Sequence, residues 1–121
     1  MNLDPAPVAK KPLRQALAEF AEERGWQTFH TPKNLAMALS VEVAEILEIF
    51  QWSDGVESQT LAPDKQQALA EEIGDVMIYL TMLASRFNVD PEAAAWAKMA
   101  LNEKKYPAHQ VFGKSLKYNE Y

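Results

Sequence analysis

Cysteine is absent from the chain, which removes thiol catalysis, disulfides and cysteine-based zinc sites from consideration. Histidine is nearly absent, with only His30 and His109. Neither stands three residues after a glutamate, so the Glu-x-x-His pairs that hold di-iron centres in helical bundles cannot be built. No stretch approaches the roughly 18 uninterrupted apolar residues of a membrane helix. The N-terminal MNLDPAPVAKKP lacks the apolar core of a signal peptide, so a cytoplasmic, membrane-free setting is the expectation. Positive charge is also short: 12 Lys and Arg stand against 17 Asp and Glu, a net charge of -5. A nucleic-acid polymer as main partner would want the opposite balance, whereas cations suit this one.

What is present is helical periodicity. At 121 residues and 48% hydrophobic, the chain can bury the core of one domain. Residues 1–10 carry two prolines and no periodicity, and are expected to be a flexible N-terminal arm. From Pro12, a favoured first-turn residue, an amphipathic helix bears Leu13, Leu17 and Phe20 and stops near Gly25. WQTFHTP is read as a loop. Pro32 restarts a helix that runs to about Trp52, where SDG ends it. A third helix spans 64–87, with Leu69, Ile73, Val76, Leu80 and Leu83 at helical spacing. Asp90 and Pro91 cap and open a fourth, ending before Pro107. Nothing alternates like a strand. The expected fold is all-α, an antiparallel four-helix bundle over residues 11–107, with 108–121 an extended tail.

The carboxylates are the oddity. On the second helix Leu35, Leu39, Val43, Ile46, Ile49 and Phe50 share one apolar arc, yet Glu42 falls near its middle and Glu45 at its edge, while Glu48 points to water. On the third helix Glu72, Asp75, Tyr79 and Arg86 line one flank. Two helices thus each carry an acid pair at i, i+3, and antiparallel packing would converge Glu42, Glu45, Glu72 and Asp75. Bare carboxylates at that density repel one another or protonate. A divalent cation removes the conflict, and an all-oxygen donor set suits Mg²⁺, with Mn²⁺ a possible substitute.

S40-V-E-V-A-E45 followed by E72-I-G-D75 resembles the E-x-x-E…E-x-x-D signature of the MazG-like all-α nucleotide pyrophosphohydrolases. The likeness extends through FAEERGWQTFHTPKNLAMALSVEVAEILEIFQW, EEIGDVMIYLTMLASRFNVD and NEKKYP, which look like the dCTP pyrophosphatase branch. It covers roughly residues 12–107. The resemblance implies Mg²⁺-dependent hydrolysis of a nucleoside triphosphate to monophosphate and pyrophosphate, with Glu42, Glu45, Glu72 and Asp75 as metal ligands. It implies Trp26 and Trp52 as walls around the base, Tyr79 and Asn102 near sugar or phosphates, and a homodimer or homotetramer whose neighbouring chains complete each site. The sequence departs from the family at Val41, where a second acid is common, and at Leu17, where animal dCTP enzymes are expected to place a base-contacting histidine.

Further candidates come from the residues themselves. Glu45 could accept the proton of an attacking water. Arg86 and Lys105 could hold the departing pyrophosphate, and His30 could touch substrate or cap the Pro32 helix. Ile78 and Met82 lie off the main arc, so the third helix has two apolar faces, as in an oligomer. Two readings compete with this one: a helical interaction module without turnover, and a hydrolase of another diphosphate-containing nucleotide.

Overall fold

The computed structural model describes residues 11–55 and 57–120. The expected arm at 1–10 lies outside the described residues. Among the described residues five α-helices follow in order: α1 Leu13–Glu23, α2 Pro32–Phe50, α3 Pro63–Arg86, α4 Pro91–Lys105 and α5 Ala108–Val111. Among the described residues there is no strand, and the all-α expectation holds. The chain divides into two compact units, Met1–Asn88 and Val89–Tyr121.

In the first unit local chemistry sets the helix ends. Gly25 stops α1 in a left-handed conformation, φ 65°, which costs glycine nothing. The Gly25 N–H donates to the Glu22 carbonyl. Residues 26–31, expected as a plain loop, contain one 3₁₀ turn, Gln27–Phe29. Thr31 caps α2, its side chain accepting from the Asn34 N–H at 3.2 Å, and Pro32 occupies the first turn. Capping therefore falls to Thr31, which frees His30 from that role. Asn88, φ 59°, follows the end of α3.

α2 and α3 form the principal pair, with α1 laid against α3. Leu35 shares a cavity wall with Met82 and Ser85, Glu42 meets Glu72, and Ile49 lies with Ala68. The two helices therefore run antiparallel. The seam between them differs from the leucine arcs of a helical wheel. Leu35 is 2% exposed, but Val43 is 50% and Ile73 53% exposed. The seam instead passes through Glu42, Ile46, Glu72 and Val76, all partly buried. Gly74 does not mark a tight helix contact, since a Cβ there would meet nothing within 4 Å.

The second unit holds α4 and α5. Asp90 caps α4 through the Glu92 N–H at 3.1 Å, with Pro91 just inside, as the capping pattern requires. Beyond Pro107 the stretch expected to be extended contains the single turn of α5 and a 3₁₀ turn at Tyr118–Glu120, separated by residues 114–117 without regular structure.

Candidate metal centre and adjoining cleft

Three turns of α2 and α3 create the acidic focus. Glu42 and Glu45 are one turn apart on α2 and share a face; Glu72 approaches from α3. One carboxylate oxygen from each lies within 4.8 Å of the others. Glu42 Oε2 and Glu72 Oε2 are both shut off from solvent, and neither has a donor within reach. Only a shared proton or a cation can satisfy two such oxygens.

The electrostatics report the same tension. The Glu42 and Glu45 carboxylates beside Glu72, with desolvation added, push its pKa up to about 8. Glu42 is pulled down by the bond it would accept from Glu72. Burial and the Glu45 and Asp75 charges outweigh that pull and leave it above the ordinary carboxylate value. Without a cation the trio therefore holds a proton at neutral pH. A hard dication bound to carboxylate oxygens would displace it, and the donor set fits Mg²⁺ or Mn²⁺.

Asp75 stands aside from the trio, although its charge reaches Glu42. It lies on the margin of a cleft of about 330 Å³ formed by α1, the 26–31 loop and α3. Trp26, His30, Tyr79 and Phe20 line that cleft, together with Leu17 and Met82. Trp26 meets Phe20 edge-on at 5.9 Å between ring centroids and His30 at 6.2 Å. Of the residues that line the cleft, Asp75, His30, Trp26 and Tyr79 carry polar side-chain groups and the rest are apolar. Such a space accepts a flat ring by stacking, with a charged group directed toward the acids.

The remaining expected site residues are placed differently. Arg86 does not line this cleft. Its Nη1 donates to the His30 carbonyl at 3.1 Å, and its side chain borders a separate space of about 140 Å³ with Arg14. Trp52 follows α2 and is 90% exposed. Asn102 and Lys105 belong to α4 in the second unit. Glu48 is exposed, as its place on the helix indicates, and borders an open groove with Glu45 and Glu72. Ile78 and Met82, read as a second apolar face, line the cleft.

Residues 37–121 match the MazG-like family. The chain is 45% identical over 121 residues to human dCTP pyrophosphatase 1, covering 98% of this chain and 71% of that protein. It is 44% identical over 110 residues to the mouse protein of the same name, covering 89% and 65%. The fold is similar to that of a crystallised pyrophosphatase from Archaeoglobus fulgidus, with TM-score 0.64, 39% identity, and 88% and 98% of the two chains covered.

Proposed function

The chain belongs to the MazG-like family and is a nucleotide pyrophosphohydrolase; on that premise we propose that it converts a nucleoside triphosphate, dCTP or a related deoxynucleotide, to the monophosphate and pyrophosphate with Mg²⁺. The observation that carries this reading is the Glu42–Glu45–Glu72 trio, with two orphaned buried oxygens, opening beside an aromatic cleft.

Each residue has a part. Glu42, Glu45, Glu72 and Asp75 would hold Mg²⁺, or Mn²⁺ in its place. Bound there, the ion supplies charge neutralisation for phosphate oxygens and a lowered pKa for a coordinated water. Trp26 and Tyr79 flank the base in the apolar cleft, where stacking is worth about 1–3 kcal/mol. Glu45 sits in both the trio and the open groove with Glu48. It is the acid positioned to take the water's proton onto a carboxylate oxygen. Phosphoanhydride hydrolysis needs alignment and charge compensation rather than a covalent nucleophile, which fits a site without serine or cysteine. Trp52 and Asn102 take their proposed roles, at the base and at the sugar or phosphates, from the family resemblance, and Lys105 takes its role at the departing pyrophosphate from its charge.

Assembly belongs to the same proposal. Met37, Val41, Leu47 and Met77 on α2 and α3 are each more than half exposed. Apolar surface at that density supports a homodimer or homotetramer.

The test is a panel of nucleoside triphosphates incubated with Mg²⁺, followed by inorganic pyrophosphatase and phosphate detection. Pyrophosphate release should appear with dCTP, vanish with EDTA, and be lost in Asp75→Asn while helicity by circular dichroism stays unchanged. Full turnover in EDTA or in Asp75→Asn would overturn the assignment.

A further inference from the structure

The 26–31 segment carries two walls of the cleft, Trp26 and His30, yet it has only one 3₁₀ turn of its own. Short 3₁₀ turns hold their geometry weakly, so something else must set the wall. At its start the Trp26 N–H donates to the Ala21 carbonyl at 2.9 Å. In its middle Asn34 Nδ2 donates to the Phe29 carbonyl at 3.0 Å. Both anchors are local in sequence. At its end the His30 carbonyl receives Arg86 Nη1 at 3.1 Å, across 56 residues. That bond connects the loop to α3, the helix that supplies Asp75 and Tyr79 to the opposite side of the cleft.

We propose that Arg86 is a positioning residue, which fixes the Trp26–His30 wall against α3 through the His30 carbonyl instead of binding phosphates. The placement of its side chain argues the same way. Arg86 borders the smaller space behind the wall, while Asp75 belongs to the cleft in front, and Leu17, Ala21, His30 and Met82 face both. A guanidinium that borders only the smaller space acts on the aromatic cleft through the loop. The donor is charged, and of the three anchors this one alone reaches an element distant in sequence.

The inference rests on the nucleotide reading above, and its test separates the two. Arg86→Met keeps the apolar stem and removes the donor; Arg86→Lys restores one donor. Hydrogen exchange comes first because it needs no ligand. The Phe29 and His30 amides should exchange faster in Arg86→Met, with α3 unchanged and the Lys variant close to wild type. Unaltered exchange would overturn the inference whatever the substrate. Next, dCMP binding is followed by tryptophan fluorescence. It should weaken about tenfold in Arg86→Met, and the KM for dCTP should rise by a similar factor with a smaller change in kcat. Inhibition by inorganic tripolyphosphate should be unaffected. Equal weakening of tripolyphosphate and dCMP, without recovery in Arg86→Lys, would make Arg86 a phosphate ligand and refute the proposal. Faster exchange in a protein that binds no dCMP would count against the nucleotide reading alone.

Discussion

Replacing Glu42 by glutamine should make the metal-free protein more stable and the Mg²⁺-loaded protein less stable than wild type. In EDTA the wild-type trio holds a carboxylate oxygen that has no donor and no solvent, beside two further acids. Glutamine is nearly isosteric, carries no charge and brings an N–H₂ group. It can donate to Glu45 and still accept from the proton on Glu72. One satisfied hydrogen bond in place of a repulsive contact is worth about 1 kcal/mol, the modest end because the trio adjoins an open groove. For a chain of this size that raises Tm by about 3–5 °C. With Mg²⁺ the order reverses. At a concentration 100-fold above Kd the wild type gains about 2.7 kcal/mol by mass action, whereas the variant, short of one anionic ligand, gains a small fraction of this. The assay is thermal unfolding of both proteins at pH 7.5, in EDTA and in Mg²⁺, with pyrophosphate release measured alongside. A variant that melts lower in EDTA and keeps the wild-type response to Mg²⁺ would refute the idea that residue 42 is tolerated for the sake of a cation.

Metal-free stability should also fall as pH rises. Glu72 has a folded pKa of about 8, above the ordinary 4.5, so between those values the folded state binds the extra proton. That contribution is complete below about pH 4.5 and lost as pH passes through 8. Tm in EDTA should decline from pH 6 to 9, and Glu72→Gln should flatten the decline; a wild-type Tm that rises over this range would contradict the assignment. Leu35→Ala, at a position 2% exposed, should cost about 2–5 kcal/mol by urea denaturation. A loss under 1 kcal/mol would mean that the α2–α3 seam does not depend on it.

Helix existence and ends were legible because they are written locally. Pro12, Gly25, Pro32 and Asp90-Pro91 each act within one turn, and the observed helices begin or end beside them. The acidic focus was legible for the same reason in reverse: Glu42 contradicts its neighbours, and a local contradiction can be read without coordinates. The seam was harder. A helix with two apolar faces does not say which one meets its partner, so the wheel counted Val43 and Ile73 in the buried arcs, though both are half exposed. Glu48 faces solvent as its angle on the wheel indicates, and it borders the open groove beside Glu45 and Glu72. The Arg86 bond could not be foreseen. It joins residues 56 apart through a main-chain oxygen, and a main-chain oxygen leaves no mark in the amino-acid code.

Leu17 and Met82 border both the aromatic cleft and the smaller space beside Arg86. Trimming either side chain should enlarge the room beside Trp26 without altering the acids of α2 and α3. Room for a larger ring is thus one substitution away, at positions that carry none of the acids.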